Sequence, residues 1–167
     1  MNRRRFVAGT FVAIAAAAGG LLSSRRVALS AQTYEVSYST EEWKKRLTPE
    51  QYYVLREQGT EMAFTSPLDL ETRPGIYSCA GCELQLFSSK TKYDSGTGWP
   101  SFWAPLPNAV GTTRDTSFFE VRTEVHCRRC GGHLGHMFDD GPKPTGLRYC
   151  MNGCALKLMS KEGKDDA

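Results

Sequence analysis

Cys79-Ala80-Gly81-Cys82 and Cys127-Arg128-Arg129-Cys130 are two C-x-x-C pairs separated by 44 residues. Each pair can set two thiolates on one side of a tight knuckle, and two knuckles together supply the four sulfurs of a tetrahedral zinc site. Gly131-Gly132, directly after the second pair, lets the chain turn sharply past the metal. Four protein ligands leave no position for water or substrate, so the expected Zn2+, one per chain, is structural. It would staple the segment near Cys79 to the segment near Cys127. Two disulfides are the competing arrangement. A local site from Cys127, Cys130, His133 and His136 is another, and it would orphan Cys79 and Cys82.

Outward from the cysteines, the chain from Gly75 onward is made of short apolar runs punctuated by Gly, Pro, Asn and Asp. Residues 76–78, 84–87, 118–122, 147–149 and 155–158 read as strands. No long amphipathic helix separates them, which argues against parallel βαβ units and for antiparallel sheets. Upstream, Thr40-Glu41-Glu42-Trp43 predicts an N-cap at Thr40 and a short helix through Leu47. Thr48-Pro49-Glu50-Gln51 predicts a second, with a capping box and a stop at Gly59. Trp43, Leu47, Tyr52 and Leu55 have the spacing to pack these helices onto the main domain. Trp103, Phe118 and Phe119 read as packing residues, and the polar tail from Ser160 as frayed.

The length of 167 residues suits one domain with a real core, and 40% hydrophobic content excludes a wholly disordered chain. The net charge of +3 does not argue for nucleic acid, because residues 1–30 carry five arginines and no acid. The remainder is slightly acidic and offers no broad surface for phosphate backbones. Arg3-Arg4-Arg5-Phe6, the uncharged run from Val7 to Leu22 and the small residues of Ala28-Leu29-Ser30 have the order of a secretory signal peptide. They resemble a twin-arginine export signal. The expected division is a leader over residues 1–30 and a domain over 31–167, located in a bacterial periplasm or otherwise exported. An uncleaved leader would be the sole membrane tether.

Two cysteines remain outside the pairs. Cys150 sits at the end of a strand in Gly146-Leu147-Arg148-Tyr149-Cys150-Met151-Asn152. Arg148 shares its face in a regular strand, where a guanidinium favours the nucleophilic thiolate. A cysteine in an apolar setting can equally be core.

At this point the chain resembles a B-type methionine sulfoxide reductase. The resemblance runs from about Ser39 to Met159 through Cys79-x-x-Cys82, Tyr93-Asp94-Ser95-Gly96-Thr97-Gly98-Trp99-Pro100-Ser101-Phe102, Cys127-x-x-Cys130, His133-Leu134-Gly135-His136-Met137-Phe138 and the segment around Cys150. It implies a mainly β fold of two antiparallel sheets with short helices at one end. It also implies a nucleophilic Cys150, zinc on Cys79, Cys82, Cys127 and Cys130, and a site formed by Trp99, His133, His136, Phe138, Arg148 and Asn152. The implied substrate is methionine-R-sulfoxide, in proteins or free, acted on by a monomer. His133 or His136 would supply protons, Asn152 a hydrogen bond to the sulfoxide oxygen, and Trp99 with Phe138 an apolar wall. Cys150 would be left as a sulfenic acid, regenerated by a thioredoxin-like dithiol or other thiols.

One position departs from the pattern. Thr97 stands where many members of that family carry a resolving cysteine, which leaves Cys154 as the internal candidate. Asn152-Gly153 is a turn signal that would fold the flanking segments together and allow Cys154 to approach. The rival reading is a zinc-knuckle module that binds a protein segment and buries Cys150 as a core residue.

Overall fold

A computed structural model describes residues 33–117 and 121–160. Residues 1–32, 118–120 and 161–167 lie outside it, and with them the expected leader, Phe118, Phe119 and the polar tail. Two helices, α1 (Thr40–Arg46) and α2 (Pro49–Glu57), precede nine strands. These are β1 (Gly75–Cys79), β2 (Gln85–Ser88), β3 (Lys92–Tyr93), β4 (Ser101–Phe102), β5 (Val110–Asp115), β6 (Arg122–Cys127), β7 (His133–Phe138), β8 (Arg148–Met151) and β9 (Leu156–Ser160). They form a three-stranded sheet, β2-β1-β9, and a six-stranded sheet, β3-β4-β8-β7-β6-β5. Every pairing is antiparallel, as the short punctuated runs require.

Both helices begin where side chains can satisfy their free N–H groups. Thr48 and Gln51 form the full capping box with Pro49 in the first turn, as expected. The cap of α1 is Ser39, one residue earlier than the sequence suggests: its hydroxyl accepts from the Glu42 N–H, so Thr40 is already helical. The second helix ends with Gln58 left-handed at φ 56°, and Gly59 follows with the exposed Tyr53 ring lying against it. Trp43, Leu47, Val54 and Leu55 are buried.

The core lies between the sheets. Tyr77 of β1 meets Phe102 of β4 edge-on at 5.0 Å, and Phe87 of β2 stacks on the same ring at 4.4 Å. Tyr149 of β8 completes the cluster at 5.9 Å from Phe87. Aromatic contacts of this kind add about 0.5–1.5 kcal/mol each beyond their buried area.

Several strands differ from the sequence expectation. The stretch 118–122 contributes only Arg122 to a described strand, and β6 runs on from there to Cys127. Strands β3, β4, β5 and β7 carry polar residues and glycines and lack an apolar alternation. The Asn152-Gly153 signal does mark a turn, a single 3₁₀ turn over Gly153–Ala155. It does not make a hairpin, because β8 belongs to the large sheet and β9 to the small one. Among the described residues no helix is long and apolar enough to cross a membrane.

Strand β7 carries a bulge: Val125 pairs with Gly135 but His126 pairs with His133, so Leu134 is extra. A Cβ on Gly135 would strike the Cys150 carbonyl oxygen of the neighbouring strand. Because that obstacle is backbone, Gly135→Ala is expected to cost about 1–3 kcal/mol, as overpacking does. Urea denaturation of the two proteins measures the difference.

Candidate active site

The two C-x-x-C knuckles are built alike. In the first, Cys79 N–H donates to the Leu84 carbonyl and Glu83 N–H to the Cys79 carbonyl, both at 2.8 Å. In the second, Cys127 N–H donates to Gly132 and Gly131 N–H to Cys127, again at 2.8 Å. The fifth residue of each is left-handed, Glu83 at φ 62° and Gly131 at φ 67°. The sulfurs of Cys79 and Cys130 lie 3.8 Å apart, those of Cys82 and Cys127 3.5 Å, and all four fall within 4.8 Å of one another. A disulfide needs about 2.05 Å. Four thiolates at about 2.3 Å from one ion stand about 3.8 Å apart, so the cluster fits a tetrahedral metal ion. His133 and His136 are not part of it. Trp43 and Leu55 cover the knuckles at Gly81 and Gly132, and Arg56 donates to the Cys130 carbonyl at 3.0 Å.

The other predicted residues gather on one face of the large sheet. The register sets Thr113, Glu124, His136, Cys150 and Ser101 opposite one another across β5, β6, β7, β8 and β4. Two residues along, Asp115, Arg122 and Arg148 hold the same face with Phe138. The bulge brings His133 onto this face although it is three residues from His136. The two imidazole rings then meet edge-on at 5.3 Å.

Cys150 opens into a cavity of about 180 Å³ lined by Trp99, Asn152, His136, Phe138, Gly135, Thr60 and Arg122. His136 is the histidine in that wall; His133 borders a larger neighbouring cavity. Each has its own carboxylate. His136 Nε2 donates to Asp115 at 2.8 Å, and His133 Nδ1 to Glu124 at 2.8 Å. Ser117 holds Asp115 far below the usual carboxylate range through its hydroxyl and backbone N–H, with His136 and Arg122 adding to the effect. Burial pushes His136 below its ordinary value, against the pull of Asp115.

The Cys150 thiol is pushed up by burial, which outweighs Thr97, Arg148 and Ser101. Arg148 acts in the expected direction but is also engaged elsewhere: it forks onto Asp140 with two bonds of 2.8 Å and lies over the Phe138 ring at 4.3 Å. Thr97 Oγ1 is 3.8 Å from the Cys150 sulfur, so the threonine stands directly beside that thiol. Cys154 lines a separate cavity with Glu50 and Glu61. Burial and the Glu61 carboxylate drive its pKa well up.

The sequence reading missed Glu61. It is 5% exposed, and four of its groups are engaged at the site. Its N–H donates to Asn152 Oδ1 at 2.9 Å, and its carbonyl accepts from Trp99 Nε1 at 3.1 Å. Its carboxylate takes the N–H groups of Gly153 and Cys154. The Asn152 amide is thereby fixed at both ends, since Nδ2 also donates to the Leu134 carbonyl at 3.0 Å. One Nδ2 hydrogen is left for other work. A lone acid in an irregular stretch gives no periodic signal, so nothing local distinguishes Glu61 from a surface residue.

The family pattern described as SelR domain matches residues 47–160, which span both knuckles and the whole Cys150 cavity. The chain belongs to the SelR family. A relative named peptide methionine sulfoxide reductase MsrB, from Leptospira interrogans, is 56% identical over 129 residues, which is 77% of this chain and 98% of the relative. Another of that name, from Agrobacterium fabrum, is 55% identical over 123 residues, covering 73% and 91%. The chloroplastic peptide methionine sulfoxide reductase B1 of Arabidopsis thaliana is 56% identical over 131 residues, covering 78% and 65%.

Glu61→Gln keeps the side-chain shape but sets an amide N–H against a backbone N–H. It is expected to lower the melting temperature and to cost about 1–3 kcal/mol of stability, the penalty for leaving a buried donor unpaired. Thermal unfolding, with acrylamide quenching of tryptophan fluorescence to report loosening of Trp99, checks this.

Proposed function

We propose that this chain reduces methionine-R-sulfoxide to methionine with Cys150 as nucleophile. Membership of the SelR family carries the reaction. The meeting of Cys150, His136, Trp99, Phe138 and Asn152 in one small cavity supports the roles. A binding module has no need of that convergence, and the family does not favour it.

The overall step needs no external proton. Cys150 begins as a thiol and its sulfur attacks the sulfoxide sulfur. The thiol proton passes through His136 to the sulfoxide oxygen. The S–O bond to the substrate breaks, methionine departs as a thioether, and the oxygen remains on Cys150 as a sulfenic acid. Asp115 holds the His136 Nε2–H, so Nδ1 is the nitrogen that accepts and returns the proton. Asn152 offers its remaining Nδ2 hydrogen to the oxygen, and Trp99 with Phe138 borders the substrate methyl group. His133 stands behind His136 as a positioning residue, held by Glu124.

Regeneration takes two electrons from an external dithiol, thioredoxin-like or another. Its first sulfur displaces water from the sulfenic acid to form a mixed disulfide, and its second releases Cys150 as a thiol. The separate cavity of Cys154 supports this direct route over an internal 150–154 disulfide.

We assign Zn2+, one per chain, to Cys79, Cys82, Cys127 and Cys130. Its chemistry there is that of a cross-link between β1 and β6, because the four sulfurs complete its shell. We also assign residues 1–30 to export on their composition, which places the mature domain 31–167 outside the cytoplasm. The enzyme is expected to act as a monomer.

With separated epimers of a dabsylated methionine sulfoxide and dithiothreitol, the leader-free protein is expected to turn over the R epimer alone. Cys150→Ser should abolish turnover and Cys154→Ser should leave it within about twofold, since a single-site change outside the reacting cavity leaves transition-state contacts intact. Turnover of the S epimer, or full activity in Cys150→Ser, would overturn the assignment.

Stripping the metal with a mercurial and a chelator should release one zinc per chain and lower the melting temperature sharply, as loss of a structural site does. Metal analysis with differential scanning fluorimetry reads both.

A further inference from the structure

The methionines of this chain are not equally sheltered. Met151 is fully buried and Met137 packs against the core. Met159 is 61% exposed but tied into the ladder of β9 opposite Ile76. Met62 belongs to no strand or helix and is 76% exposed, more than any other large apolar side chain among the described residues. A thioether in water is open to peroxides and hypohalous acids, which convert it to the sulfoxide, whereas one packed in a core is shielded.

The surroundings of Met62 hold its backbone and leave its side chain free. Glu61, just before it, donates to Asn152 Oδ1 at 2.9 Å and accepts from Trp99 Nε1 at 3.1 Å. The Met62 carbonyl accepts from the Thr65 hydroxyl at 2.7 Å, and Phe64 N–H donates to the Gly98 carbonyl at 2.8 Å. Phe64 is left-handed at φ 65°, with its ring against Gly98. These contacts fix Met62 at the margin of the reacting site, two residues from Thr60 in the wall of the Cys150 cavity. They also keep it out of its own cavity, because turning inward would take Glu61 from Trp99 and Asn152, which line that cavity. The cavity of another molecule meets no such obstacle, since the free side chain enters first.

We infer that Met62 is an oxidation site of this protein and that its sulfoxide is a substrate for Cys150 of a second copy. The inference rests on the sulfoxide-reductase reading and adds this chain itself to the substrates. In the first step a peroxide or hypohalous acid transfers one oxygen to the Met62 sulfur and leaves reduced, as water, an alcohol or a halide. In the second, the Cys150 sulfur of the other copy takes that oxygen as a sulfenic acid, and Met62 returns to a thioether. The external dithiol then restores Cys150 with release of water and becomes a disulfide. Each round therefore consumes one oxidant and one dithiol. Direct oxidation gives both sulfoxide epimers and this chemistry takes one, so about half of the oxidised Met62 is recoverable.

Leader-free Cys150→Ser protein, which lacks the nucleophile, serves as the oxidised substrate. It is treated with hydrogen peroxide, cleared with catalase and mapped by mass spectrometry of its peptides. Met62 should gain one oxygen about tenfold faster than buried Met151. Zinc-loaded wild type in catalytic amount, with dithiothreitol, should then return about half of the Met62 sulfoxide to methionine. The rate should rise in proportion to the wild type added. Equal oxidation of Met62 and Met151 would overturn the inference. So would a Met62 sulfoxide that persists while the same enzyme turns over the R epimer of a dabsylated methionine sulfoxide. Failure of folded wild type on the dabsylated substrate as well would instead overturn the sulfoxide-reductase reading.

Discussion

Four sulfurs within 4.8 Å of one another are the constraint on which the rest of this molecule depends. Cys79 ends β1 of the small sheet and Cys127 ends β6 of the large one, so a metal ion held by the four would cross-link the two sheets. The helices pack partly on this cluster, since Trp43 and Leu55 lie directly over the knuckle glycines. Thiols so crowded also perturb one another strongly: Cys82 and Cys127 are pulled down while Cys79 and Cys130 are pushed up. A set in which ionisation of one sulfur opposes ionisation of the next calls for a divalent cation. The aromatic cluster of Tyr77, Phe87, Phe102 and Tyr149 fills the space between the same two sheets.

The chemistry sits on the sheet face by register. Antiparallel pairing sets His136 opposite Cys150, and the two-residue period returns Arg148 to the same side. The pairing must be tight for this to work, and Gly135 makes it so by letting β7 approach the Cys150 backbone. The bulge that admits Leu134 also places His133 behind His136, with a carboxylate for each imidazole.

The legible parts of the sequence were those with a local signature. The C-x-x-C pairs, the Thr48-Gln51 capping box and the apolar runs at β1, β2 and β9 each encode their structure within a few residues. Strands β5 and β7 were not legible because their stability comes from neighbours: β5 is largely exposed, and His133-Leu134-Gly135-His136 has no clean alternation across a bulge. The site followed the same division. Cys150 and Trp99 stand in distinctive segments, whereas Glu61 acts through backbone groups and a carboxylate buried by residues more than ninety positions away. Asn152-Gly153 does mark a turn, but the flanking strands part into different sheets, because a turn signal does not say which sheet receives the next strand.

The turn after β8 also sets Cys150 and Cys154 in different surroundings. Burial keeps Cys150 protonated at rest, and Arg148 is occupied by Asp140 and Phe138, so the thiol is not a standing target for oxidants. On the proposed mechanism, the proton would leave the sulfur as the sulfoxide oxygen receives it, which would couple activation of the sulfur to the presence of substrate. The 3₁₀ turn over Gly153–Ala155 carries Cys154 into another cavity, where Glu61 disfavours its ionisation as well. Two protonated thiols in different cavities do not form a disulfide in the resting fold. Thr97, beside the Cys150 sulfur, cannot supply one either. On the proposed mechanism, a sulfenic acid formed at Cys150 would face the open cavity, where a reductant from outside could reach it.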